Sequence, residues 1–270
     1  MKTNFNSLLY NKCKEKNNWL CLGLDIDPDF FNNSISDPID FLEKFAFEII
    51  DSTIDIVPVY KPNLAFFERY GYKGFKVFEK IVEYIDGRSI VIADAKRGDI
   101  GNTCKYYASA MFDEMGCDAI TVNPYMGSDS ILPFLKNKFK GVFVLCLTSN
   151  SSSGELQNDT NDNTPLFLKV AKLVGSLNKN GNLGLVVGAT KSDFFDQINK
   201  YCNKMPYLIP GVGHQGGDLE ESLISSNKNG YGIINVSRSI INSGKGNLKS
   251  IRSAALSYTE KIREVVNGRA

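Results

Sequence analysis

A single histidine, His214, serves all 270 residues. That leaves no material for a His-rich zinc site or for a Ser-His-Asp triad elsewhere in the chain. Any catalysis therefore falls to lysine and carboxylate. Cysteine pairs are missing as well: the six cysteines, at 13, 21, 104, 117, 146 and 202, form no C-x-x-C, and several lie inside apolar runs such as "WLCLGL" and "FVLCL". They read as reduced core residues. Neither charge is in excess, with 31 basic against 30 acidic side chains and a formal charge of +1. No global field draws in nucleic acid or an anionic membrane, so an anionic ligand must be captured locally. No apolar stretch approaches the roughly 18 residues that cross a bilayer, and the opening "MKTNFNSLLYNKCKEKNN" lacks the apolar centre of a secretory signal. A soluble, cytoplasmic protein without nucleic-acid or membrane partners is expected.

What is present is a regular alternation. Short apolar runs stop at polar or glycine-rich residues eight times: "WLCLGLD" (19–25), "DIVPVYKPN" (55–63), "SIVIADAK" (89–96), "AITVNPY" (119–125), "GVFVLCLT" (141–148), "LGLVVGAT" (183–190), "YLIPGVG" (207–213) and "YGIINVSRS" (231–239). Nearly continuous apolarity is the pattern of strands buried on both faces. Between them lie segments with helical spacing, among them "DFLEKFAFEIIDST", "GFKVFEKIVEYI", "NTCKYYASAMFDEMG", "SILPFLKNK", "SDFFDQINKYCN" and the terminal "LKSIRSAALSYTEKIREVVN". Strand alternating with helix demands parallel strands and right-handed crossovers, and eight repeats close into a (β/α)8 barrel, a fold of about 250 residues. One α/β domain, a TIM barrel over residues 1–270, is therefore predicted. An open doubly wound sheet is the weaker alternative, since no G-x-G-x-x-G follows the first strand. The one long polar insert, "TSNSSSGELQNDTNDNTP" (148–165), follows strand five and reads either as surface or as a lid.

In a barrel the carboxyl ends of all strands face one side, so the polar residues that close them gather at a common mouth. Here these are Asp25, then Lys61 and Asn63, Asp94 and Lys96, Asn123, Thr148 and Ser149, and Arg238. Asp94 and Lys96 are two apart, and the period of a strand points both to one face. Each residue has an ordinary reading: Lys61 as a snorkelling side chain before Pro62, Asp25 as a turn former in "DIDP", Asp99 as a helix N-cap. Together they form a cluster whose members shift one another's proton affinities, because opposite charges about 4 Å apart interact by roughly 4 kcal/mol at an effective dielectric near 20. A second signal is "PGVGHQGGD" (210–218) after strand seven, where glycine amides can approach an anion closely and Gln215 adds a donor. Arg238 after strand eight brings a guanidinium fork, and the loops after strands seven and eight of barrels frequently hold phosphate. His214, in the same loop, reads as incidental.

These residues carry a resemblance. "DAKRGDIGNT" resembles the D-x-K-x-x-D-I signature of the orotidine 5′-phosphate decarboxylases, and "GLD", "YKPN" and "PGVGHQGGD" follow in the family's order from about Leu20 to Arg238. The resemblance implies a homodimeric barrel that converts orotidine 5′-monophosphate to uridine 5′-monophosphate and carbon dioxide in pyrimidine synthesis, with no metal or organic cofactor. It further implies a charged array of Lys61, Asp94, Lys96 and Asp99, with Lys96 the proton donor to C6. Asp99, Ile100 and Thr103 would reach into the partner's site. Asp25 and Asn63 would hold ribose hydroxyls, Gln215 and Arg238 the phosphate, Ser149 (with Thr148 its rival) the pyrimidine edge, and Pro210 an apolar wall. Arg97 receives no role and reads as a solvated or interface residue. The chain departs from the pattern at Ser237, where relatives often have glycine, at His214, and in the proline-free "TSNSSSG". Two rivals stand: a related sugar-phosphate decarboxylase or aldolase, which uses a strand-two acid and magnesium where this chain has Lys61, and an inactive phosphate-binding protein on the same fold.

Overall fold

Each of the eight apolar runs forms a parallel strand, and the eight close on themselves. The computed structural model describes residues 3–31, 35–161, 164–213 and 216–268. The barrel strands are β1 (Leu20–Gly23), β2 (Val59–Lys61), β3 (Ile90–Arg97), β4 (Ala119–Val122), β5 (Gly141–Leu147), β6 (Leu183–Val187), β7 (Pro206–Pro210) and β8 (Tyr231–Val236). Each pairs with its neighbours in sequence and β8 returns to β1, giving a closed barrel. Registers such as Gly23 opposite Lys61, Val122 opposite Arg97, and Asn235 opposite Pro210 bring the carboxyl ends to one rim. An expected set of charges scattered over 213 positions, from Asp25 to Arg238, is thereby brought to one mouth.

The outer helices pack by stripe. In Gly71–Ile85 the buried positions Gly74, Val77, Phe78, Ile81, Val82 and Ile85 repeat at the spacing of one helical face. Asp37 caps the helix Pro38–Thr53 through the amides of Ile39 and Asp40, and Asn247 caps Leu248–Asn267 through those of Lys249 and Ser250. Among the described residues no helix is long and apolar enough to cross a membrane. All six cysteines are free and buried, as expected of core residues, and burial pushes the Cys21 and Cys117 thiols up to about 12.

Three local features differ from the sequence reading. The polar opening contains a helix, Phe5–Glu15, capped by Asn4. Its apolar residues are too sparse to advertise it, yet Phe5 is 1% exposed and its ring occupies the space that a β-carbon on Gly141 would need. Asn6 donates to the Leu183 carbonyl, so this helix stoppers the amino end of the barrel. The segment "SILPFLKNK" forms only 3-10 turns, including Leu132–Leu135, with Pro133 in the first turn. Buried Asn182 donates to the carbonyls of Leu135, Asn137 and Lys140, which a continuing helix would have satisfied. Likewise "SDFFDQINKYCN" holds a single α-turn, Phe195–Ile198, after a 3-10 stretch interrupted at Lys191.

Candidate active site

A cavity of about 260 Å³ opens at the carboxyl rim, walled by Asp25, Lys61, Asn63, Asp94, Lys96, Thr148, Ser149, Pro210 and Arg238, with Leu145, Val186 and Leu208 among its apolar residues. Nine of the residues expected from sequence therefore meet there. Asn123 does not: its side chain accepts from the Tyr125 amide and shapes the turn after β4.

The centre of the cavity is a carboxylate held by three donors. Lys61 Nζ lies 2.7 Å from Asp94 Oδ2, Lys96 Nζ 2.7 Å from Oδ1, and the Thr121 hydroxyl donates to Oδ1 at 2.9 Å. Lys61 and Asp94 are 4% and 10% exposed, whereas Lys96 is 48% exposed. Burial alone would raise the Asp94 carboxyl, but the two ammonium groups outweigh it and hold the group well below the usual carboxylate range. Burial likewise works against the Lys61 ammonium, and the charges of Asp94 and Asp25 reverse that and hold it above the ordinary lysine range. Asp94 and Lys61 therefore both stay charged at neutral pH.

Strand alternation is not what brings Lys96 to Asp94. The β3–β4 ladder shifts between Ala93 and Arg97, and Lys96 has φ +48°, a left-handed backbone that a side chain disfavours. A bulge therefore aims the lysine back over the carboxylate two residues earlier. Arg97, which reads from sequence as solvated or at an interface, is half-buried within the subunit. It pairs with Glu68, donates to the Ala95 carbonyl at 3.2 Å and lies 5.6 Å over the Tyr107 ring.

Asp25 Oδ1 is buried without a hydrogen-bond partner among the described residues, an acceptor left open in the cavity wall. Asn63 accepts from the Ala65 amide at 3.2 Å. Thr148 is engaged by the loop that follows it: its amide donates to Gln157 Oε1, its hydroxyl accepts from Gln157 Nε2, and that hydroxyl also donates to Asn150. The start of the insert, which reads from sequence either as surface or as a lid, is thus folded back onto its own base, with short helical turns at Ser151–Ser153 and Gly154–Gln157.

The glycine-rich loop has the backbone its composition suggests. Gly211 and Gly213 have φ +98° and +81°, and a β-carbon on Gly213 would come within 2.7 Å of the Tyr258 hydroxyl. His214 and Gln215 lie outside the described residues. Arg238 is exposed at the cavity edge and forms no ion pair with any described residue. Ser237, the departure noted beside it, has its Oγ donating to the Gly23 carbonyl at 3.1 Å, and its Cβ sits 2.7 Å from where a β-carbon on residue 23 would be. The serine fits because Gly23 lacks that atom.

Asp99 and Ile100 do not line this cavity, nor does Thr103. Asp99 is not the N-cap of the helix Gly101–Ser109: that position is Ile100, and Asp99 Oδ1 accepts from the adjacent Ile100 amide, at 2.7 Å. Sequence reading missed Thr121 and Asn235, both in the cavity wall. The available signal was a lone polar residue in the middle of an otherwise apolar strand, "AITV" and "YGIINV".

A closed (β/α)8 barrel whose charged groups converge at the carboxyl ends of its strands belongs to the barrel enzymes, which build their sites on that rim. The profile of the "Orotidine 5'-phosphate decarboxylase / HUMPS family" matches residues 18–252, and the chain belongs to that family. It is 45% identical over 248 residues to an orotidine 5′-phosphate decarboxylase of Herpetosiphon aurantiacus, covering 91% of this chain and 89% of the relative. Against that of Roseiflexus castenholzii it is 40% identical over 252 residues, 92% of each chain. Among solved structures, Leishmania donovani OMP decarboxylase superposes with a TM-score of 0.84 at 33% identity, covering 97% of this chain and 98% of that one. Leishmania donovani UMP synthase superposes at 0.87 and 34%, covering 98% of this chain and 57% of the longer one.

Proposed function

We propose that the chain decarboxylates orotidine 5′-monophosphate to uridine 5′-monophosphate in pyrimidine synthesis, as a homodimeric cytoplasmic carboxy-lyase that needs no metal or organic cofactor. The observation that carries the reading is the buried Lys61–Asp94–Lys96 array at the mouth of a barrel whose relatives bear that enzyme's name. Breaking the bond between C6 and the carboxylate leaves an electron pair on a carbon with no adjacent carbonyl sink, so placed positive charge must stabilise it. Lys96 meets that need, then delivers a proton from Nζ to C6 as carbon dioxide departs, and regains one from solvent. Lys61 is too enclosed to reach the substrate freely and serves to keep Asp94 ionised and oriented. Asp94 opposes the substrate carboxylate in the ground state, a repulsion relieved when neutral carbon dioxide leaves.

The remaining assignments follow the cavity wall. Asp25, with its open acceptor, and Asn63 take ribose hydroxyls. Arg238 and the amides of the 210–218 loop take the phosphate, with Gln215 as a further donor. Pro210 forms an apolar wall, and Ser149, with Thr148 its rival, takes the pyrimidine edge; both line the cavity. Phosphate binding supplies energy for closing the 148–165 segment over the base. Asp99, Ile100 and Thr103 act in the partner's site. Exposed Ile100 and Tyr106 on this segment, with Tyr125, Met126 and Leu132 on the turns after β4, offer apolar surface for such a dimer.

The test is direct. Mixing protein and orotidine 5′-monophosphate is expected to bleach the substrate's absorbance, at the same rate with and without a chelator. No bleaching, with magnesium-dependent turnover of a sugar phosphate instead, would establish the aldolase reading.

A further inference from the structure

We infer that Thr121 is a positioning residue that couples the backbone of Lys96 to the carboxylate of Asp94. Its catalytic consequence rests on the decarboxylase reading above, but the coupling itself does not. Thr121 is 1% exposed in a strand whose other members, Ala119, Ile120 and Val122, are apolar. Its hydroxyl uses both of its capacities: it donates to Asp94 Oδ1 at 2.9 Å and accepts from the Lys96 amide at 3.0 Å. The direction is fixed, because an amide can only donate and an ionised carboxylate can only accept.

The β3–β4 ladder shifts between Ala93 and Arg97, and within that shift Thr121 supplies an acceptor for the Lys96 amide. Left-handed backbone at a residue with a β-carbon persists only where its surroundings over-determine it. Here the lysine is tied at both ends to one group, since its amide binds Thr121 and its ammonium binds the same Asp94 oxygen that Thr121 binds. The hydroxyl thus closes a ring running through the backbone of residue 96, its side chain, the carboxylate and back. Asp94 Oδ1 receives two donors and Oδ2 receives Lys61, which fixes the carboxylate plane. Arg97 grips the same bulge from outside through Glu68 and Tyr107, and it offers the competing account of what holds Lys96 in place.

The experiment compares Thr121→Val, which keeps shape and loses the hydroxyl, with Thr121→Ser, which keeps the hydroxyl. In Thr121→Val, kcat is expected to fall about 30- to 100-fold, the scale of an ångström-level misplacement of a reacting group. KM and the Kd for uridine 5′-monophosphate are expected to stay within about threefold, and Thr121→Ser to retain kcat within about fivefold, because only transition-state alignment depends on the hydroxyl. Hydrogen exchange at the Lys96 amide should accelerate at least about tenfold in the valine variant and not in the serine variant, as its acceptor is lost. Wild-type kcat in Thr121→Val, or an unchanged Lys96 exchange rate, would overturn the inference in favour of the Arg97 clamp. If the wild-type protein fails to decarboxylate, the functional reading falls while the exchange comparison still decides the role of Thr121.

Discussion

Replacing Lys61 by methionine isolates the electrostatics of the site from its shape. The lysine is 4% exposed and 2.7 Å from Asp94, so the substitution keeps an unbranched apolar stem, one atom shorter, while removing the chief counter-charge of a buried carboxylate. At 2.7 Å and an effective dielectric near 20 the direct attraction is about 6 kcal/mol. Much of that is offset in the native protein by desolvation of both groups. Removing one partner of a buried pair costs about 3–5 kcal/mol, and the low end applies because Lys96 still neutralises Oδ1. For a domain of this size a loss of about 3 kcal/mol lowers Tm by roughly 6–12 °C. The pH dependence gives the sharper test. In the native protein Asp94 is held well below the usual carboxylate range, so its contribution is present above the unfolded value of about 3.9 and is lost only as pH falls through the lower folded value. The Lys61 contribution is present below the unfolded lysine value and lost only as alkaline pH passes the raised folded one. Neither changes between pH 5 and 7. In Lys61→Met, burial is no longer outweighed, the folded carboxyl rises, and protonation relieves the isolated charge. The deficit measured by thermal melts should therefore shrink as pH is lowered from about 7 to 5, and adding Asp94→Leu should recover most of it. A Tm within about 1 °C of wild type at pH 7, or a deficit independent of pH, would refute the reasoning.

Lys96→Ala is expected to abolish turnover while uridine 5′-monophosphate binding stays within about tenfold, as measured by calorimetry, because the lysine's main interaction belongs to the transition state. Mixing inactive Asp94→Ala and Asp99→Ala proteins under subunit exchange should restore part of the activity, since the heterodimer retains one complete site; none recovered would argue against a shared site. Arg238→Ala should weaken uridine 5′-monophosphate by about 10- to 150-fold, the value of a charged hydrogen bond, with uridine itself unaffected in the same titration. Phe5→Ala should cost about 3–5 kcal/mol in urea melts by opening a cavity against Phe143 at the amino end, leaving kcat at 25 °C unchanged.

The barrel was legible because its signal is long and redundant: eight apolar runs alternate with helical segments, and one misjudged segment does not alter the topology. The failures lay where local pattern is short or where one residue overrides it. Helix Phe5–Glu15 owes its stability to where Phe5 lands, and "SILPFLKNK" stops at a 3-10 turn whose carbonyls at Leu135 and Asn137 are caught by Asn182, 47 and 45 positions later.

Residue types and their order determined that this chain would bring two lysines, two carboxylates, an arginine and a glycine-rich loop to one rim, because parallel strands in a closed barrel leave no other arrangement of strand ends. What only the tertiary structure decided is how they meet. Period-two alternation put Asp94 and Lys96 on one face, but a ladder shift and a left-handed residue make the actual contact, and a hydroxyl from the next strand ties both. Such a contact joins groups 25 and 27 positions apart, and it depends on the register between two strands, which is set by packing around the whole barrel.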